Sequence, residues 1–147
     1  EVIFESGSQL ETIGAGAFGF TNFTSVEIPK TVRQILTSAF TASALNKLSF
    51  EANSQLETIG NFAFWSTKII STVIPKTVTE ILGGAFQSSE LEKVSFEANS
   101  QLETIGEYAF WSTNIISVVI PKTVREILNG AFSNSQQLEE VIFESGS

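Results

Sequence analysis

The pentapeptide Ile-Pro-Lys-Thr-Val occurs at Ile28–Val32, again at Ile74–Val78 and again at Ile120–Val124, at a constant interval of 46 residues. What lies between the copies repeats with them. Of the 40 positions from Lys47 to Phe86, 33 are identical to those from Lys93 to Phe132. A fixed period of this length confines the chain to architectures in which like units stack on one another.

Each unit divides into two related halves. One half carries the strand cores Val2-Ile3-Phe4, Leu48-Ser49-Phe50, Val94-Ser95-Phe96 and Val141-Ile142-Phe143; the other carries Val26-Glu27-Ile28, Thr72-Val73-Ile74 and Val118-Val119-Ile120. Their last residues stand at 4, 28, 50, 74, 96, 120 and 143, so steps of 24 and 22 alternate. The final step is 23, because Gln136-Gln137 adds a residue. Seven coils of about 23 residues fall in the range of solenoid repeats. The first and third residues of each core alternate with period two and share one face of a strand. Hairpin turns are absent, which favours parallel stacking over antiparallel pairing.

A second apolar set follows each strand: Leu10, Ile13 and Ala17-Phe18, or Val32, Ile35 and Ala39-Phe40, and so on through Ala131-Phe132. The Phe comes five residues after the Ile in all six copies, which predicts a column of rings along the interior. Ser8-x-x-Glu11, Ser54-x-x-Glu57, Ser100-x-x-Glu103, Thr31-x-x-Gln34, Thr77-x-x-Glu80 and Thr123-x-x-Glu126 have capping-box spacing and predict short helical or 3₁₀ turns there. The β-branched residues and Gly14, Gly60 and Gly106 argue against long helices.

The L-x-x-V-x-I-P strand, the V-x-x-I segment and the Gly-x-x-Ala-Phe turn, as in Ile105-Gly-Glu-Tyr-Ala-Phe110, resemble the BspA-like branch of the leucine-rich repeat superfamily. The resemblance runs along essentially the whole chain. One departure is that the family often has Cys soon after Ala-Phe, where Thr, Ser, Asn or Gln stands here. The resemblance implies an α/β, right-handed solenoid with a parallel sheet on its concave face and short helical turns on its convex face. It further implies an extracellular or cell-surface protein associated with adhesion and host-protein binding.

Composition bears mainly on what the chain does not do. There is no His, Cys, Asp or Met, so the usual zinc and copper sites and the common nucleophile–base pairs cannot be assembled. The expectation is a non-enzymatic chain with no catalytic residues, no metal and no cofactor. Sixteen Glu against eight Lys plus Arg give a net charge of −8, which disfavours nucleic acid and anionic membranes as partners. No apolar run approaches the roughly 20 residues of a membrane span.

Binding is expected on outward strand positions of the concave face: Glu27, Lys47, Ser49, Val73, Lys93, Ser95 and Val119. The partner is a protein or, alternatively, a second copy of the chain stacked end to end. Glu5, Glu51, Glu97 and Glu144 recur in alternate coils about 9.5 Å apart by strand spacing, too far to share one cation, and read as a solvated acidic ladder. Trp65 and Trp111 read as half-buried filler in preference to a glycan platform. Asn22-Phe23-Thr24 is an N-glycosylation sequon. Residues 1–147 form one solenoid, with double repeats at 1–46, 47–92 and 93–139 and a partial copy at 140–147. Residues 1–8 and 140–147 are identical. The chain is expected to be a window on a longer array.

Overall fold

A computed structural model describes residues 1–146. In chain order the elements are β1 (Thr12–Ile13), β2 (Ser25–Ile28), β3 (Gln34–Ile35), β4 (Lys47–Phe50), β5 (Thr58–Ile59), β6 (Ser71–Ile74), β7 (Glu80–Ile81), β8 (Lys93–Phe96), β9 (Thr104–Ile105), β10 (Ser117–Ile120), β11 (Glu126–Ile127) and β12 (Glu140–Phe143). All pair in parallel. The chain is a parallel β-solenoid of about six turns, each carrying one four-residue and one two-residue strand. The expected seven coils reduce to six because Val2-Ile3-Phe4 forms no strand and makes only an isolated bridge from Val2 to Val26.

The expected helical or 3₁₀ turns do not occur among the described residues. The segments with capping-box spacing form the short strands instead, and β1-β3-β5-β7-β9-β11 make a six-stranded sheet in chain order. The capping residues have other work. Ser8, Ser54 and Ser100 accept a bond from the N–H two residues on, each at 3.3 Å, closing a local turn. Thr31, Thr77 and Thr123 donate to the Ser8, Ser54 and Ser100 carbonyls of the preceding coil. Once a neighbouring coil supplies partners, a two-residue strand satisfies the backbone as a helical turn would.

The phenylalanine column is present. Phe18, Phe40, Phe64, Phe86, Phe110 and Phe132 stack with centroids 5.1–5.4 Å apart and planes within 15° of parallel. The backbone beneath the rings is laddered as well: Phe40 N–H donates to Ala63 O, and Phe64 N–H to Ala85 O, both at 2.7 Å. A hydroxyl follows each of the six rings by three residues. Thr21, Ser43, Thr67, Ser89 and Thr113 each donate to the carbonyl of their own Phe at 2.7–3.0 Å, and Ser135 reaches Phe110 O.

The long strands depart from a single sheet. β2 ladders with β4, β6 with β8 and β10 with β12, but no ladder joins β4 to β6 or β8 to β10. Ladders form across the steps of 22 and 23 and fail across the steps of 24, where Val2 and Val26 make only an isolated bridge. The two extra residues lie in the corners after β4 and β8, which turn through Asn53 and Asn99, both at φ 61°. Asn tolerates that left-handed conformation better than most residues.

Candidate functional site

Alternation along the long strands settles which side chains face outward. Lys47 and Lys93 are exposed, Ser49 and Ser95 are partly exposed, and Glu27 is exposed between buried Val26 and Ile28. Val73 and Val119 keep 53% and 45% of their surface in water, which is high for Val and gives this face its apolar character. All seven positions expected from the sequence therefore share the outward face of the long strands.

The interrupted ladders divide that face into grooves. The first, of about 490 Å³, lies where β4 meets β6, and it brings together Lys47, Ser49, Val73, Lys93 and Ser95. The second, of about 640 Å³, lies where β8 meets β10 and collects Lys93, Ser95 and Val119. Glu27 lines neither, because β2 and β4 are closed by a full ladder. The floors are made by residues that sequence reasoning assigned to the core. Phe50 and Phe96, at the ends of β4 and β8, are only partly buried because the neighbouring strand does not close over them.

Backbone direction explains why the grooves carry polar potential. Lys47 and Glu51 send their N–H groups to Thr24 and Ile28 on the β2 side, and Lys93 and Glu97 send theirs to Ile70 and Ile74. In a parallel ladder successive residues direct their groups to opposite sides. Leu48 and Phe50 on one bank, and Ser71 and Val73 on the other, therefore turn their backbone groups toward the gap.

The acidic ladder is more engaged than its sequence reading. Carboxylates of Glu51, Glu97 and Glu144 accept the backbone N–H of Lys30, Lys76 and Lys122 at 2.9, 2.9 and 3.2 Å. Each of those lysines follows a Pro, whose missing N–H ends the ladder one residue earlier. Glu in one coil thus completes the corner of its neighbour. Replacing Glu97 with Ala is expected to lower stability by about 1 kcal/mol, whereas Glu97→Gln, which keeps an acceptor, should cost less than half of that. Urea denaturation of the two variants separates them.

Trp65 and Trp111 are partly buried, as the filler reading expects. The neighbouring Phe62 and Tyr108 are the more exposed, at 43% and 47%, and each lies over the glycine of the next coil, Gly84 or Gly130. Among the described residues no three carboxylates gather in a metal-binding arrangement, and no helix is long and apolar enough to cross a membrane.

The family model of the BspA type leucine rich repeat region matches six copies over residues 11–139. No curated protein matches the sequence. Among solved structures the chain is similar to the pneumococcal vaccine antigen PcpA, with a TM-score of 0.80 at 21% identity, covering 93% of this chain and 36% of that one. A leucine-rich repeat protein from Eubacterium ventriosum ATCC 27560 gives a TM-score of 0.44 at 18% identity over 78% of this chain and 32% of that one. The first likeness is one of fold. The chain spans about a third of the length of each.

Proposed function

This chain belongs to the BspA-type leucine-rich repeat family, and from that premise we propose that it is a non-enzymatic scaffold that binds a protein partner through the outward face of its long strands. The observation that carries the reading is the pair of grooves at the interrupted ladders, each with an aromatic residue in its floor and a charged rim. Partly exposed Phe50 and Phe96 beside exposed Val73 and Val119 offer apolar area for burial. Lys47 and Lys93 supply charge that sets orientation and on-rate. In line with what the family resemblance implies, the setting is the cell surface or its exterior, and the act is adhesion or capture of a host protein.

The absence of His, Cys and Asp leaves Glu, Lys, Tyr and hydroxyls as the reactive inventory. The carboxylates nearest the grooves are those of Glu92, Glu97 and Glu144, and two of these are committed to backbone bonds. This supports binding over chemistry.

The triple variant Lys47→Gln, Lys93→Gln, Val119→Ser tests the surface. Its affinity for any partner captured by the native chain is expected to fall at least tenfold, with the thermal midpoint unchanged because all three side chains are exposed. Undiminished affinity in that variant would place the binding surface elsewhere.

A further inference from the structure

The two grooves share Lys93 and differ in the charges set against it. The β4–β6 groove is lined by Lys47 and Lys93 against Glu97, whereas the β8–β10 groove is lined by Lys93 against Glu92 and Glu144. The balance is one positive charge in the first and one negative in the second. Each groove has one carboxylate already engaged, Glu97 with the Lys76 N–H in the first and Glu144 with the Lys122 N–H in the second. Among the described residues the one ion pair is Arg33–Glu57, so both lysines of the β4–β6 groove lack an acidic partner in a protein of net charge −8. They stand on β4 and β8, one on each side of β6.

Thr72, on β6, also lines this groove. It is 5% exposed, and its Oγ1 is the one buried side-chain polar atom among the described residues that has no hydrogen-bond partner. The equivalent residues of β2 and β10 are Val26 and Val118, which fill the same space without a hydroxyl. That hydroxyl faces the core with Ile74, away from Ser71 and Val73, and its unmet bond is a cost to stability.

Resting on the reading of this face as a protein-binding surface, we propose that the β4–β6 groove is its selective pocket and takes an acidic side chain of an extended segment of the partner. The carboxylate sits between the Lys47 and Lys93 ammonium groups. The β8–β10 groove, with its reversed charge, receives a neutral or basic portion of the partner. Charge complementarity of this kind also fixes which way the segment runs across the strands.

The test is selection of a phage-displayed random 12-mer library on the full chain, followed by affinity measurement on synthetic copies of the peptides recovered. Enrichment of Glu and Asp is expected. Changing the peptide's acidic residue to its amide, or changing Lys47 and Lys93 of the protein to Gln, should weaken binding at least tenfold. Thr72→Val should leave binding unchanged while raising the thermal midpoint, because it removes an unsatisfied hydroxyl that faces the core. Val119→Ser, in the other groove, should leave the acidic contribution unchanged. Peptides that show no acidic enrichment, yet bind more weakly to the Lys47, Lys93, Val119 triple variant, would overturn the acidic pocket and leave the binding face standing. Failure to recover any peptide, or binding indifferent to every substitution on the face, would overturn both. Preference for a heparin octasaccharide over all peptides would replace the protein partner by a sulfated glycan and overturn the proposal.

Discussion

Phe86→Ala is expected to lower the unfolding free energy by about 3–5 kcal/mol, the usual range for removing a buried ring. Phe86 has no exposed surface, and its ring lies between Phe64 at 5.1 Å and Phe110 at 5.4 Å. The void would be bounded by aromatic faces on both sides, and those rings are held by laddered backbone that cannot collapse into it. In a stack where each turn contacts only its neighbours, the damage also falls on the coupling between the two halves. Trp65 and Trp111 report separately on those halves, since they follow Phe64 and Phe110. Urea denaturation of the native chain should give one transition by fluorescence. In Phe86→Ala it should shift to lower urea and broaden or split, as variants retaining only Trp65 or only Trp111 would reveal. A loss below about 1.5 kcal/mol would mean that the column is not what holds the coils together. Phe132→Ala is a useful comparison, because its ring is only partly buried and has one stacked neighbour.

Gly106→Ala should cost about 2–4 kcal/mol through overpacking. A Cβ at Gly106 would lie 2.7 Å from the Leu82 carbonyl carbon, 2.8 Å from Gly83 N and 2.9 Å from Ile81 O. All three are backbone atoms of the preceding coil, and the Gly106 N–H already donates to Ile81 O at 2.7 Å. Relief therefore requires the two coils to move apart, which breaks that bond and loosens the β7–β9 ladder beside it. Gly60 meets Ile35 O, Leu36 C and Thr37 N at 2.6–2.9 Å and should behave alike. Gly14 stands at the same register with nothing within 4 Å, so Gly14→Ala should be neutral or slightly stabilising through the unfolded chain. Thermal unfolding of the three alanine variants would show the contrast. Equal effects at Gly14 and Gly106 would refute the close-approach account.

The column of rings was legible in the sequence because a ring is large, must be buried, and recurs at one register in every copy. The outward face was legible for a related reason: Val26 and Ile28 flank Glu27, and strand period two leaves no other arrangement. Helical turns were expected because Ser-x-x-Glu is a helix-start spacing, yet the same Ser–Glu pair serves a turn followed by a two-residue strand once neighbouring coils supply partners. What decides between them is the contact between coils, which no single copy encodes. The grooves were hidden for a different reason. Leu48-Ser49-Phe50 and Thr72-Val73-Ile74 both read as strands, and nothing in either shows whether they pair with each other. The alternation of 22- and 24-residue steps carried that signal without revealing its meaning. The hydroxyl column could have been found: Thr21, Ser43, Thr67, Ser89, Thr113 and Ser135 each stand three residues after a Phe.

The interrupted ladders also have a mechanical consequence. On one side of the solenoid the short strands and the stacked rings run without a break, and on the other the long strands are joined only two by two. Such a body resists stretching along its spine yet opens along its front, like a folded screen whose panels are the strand pairs β2–β4, β6–β8 and β10–β12. Bending stiffness then depends on direction, with the compliance concentrated in gaps that recur once per unit. A load applied to a partner seated across a gap would pull on the softest line of the structure, so grip and shape would change together.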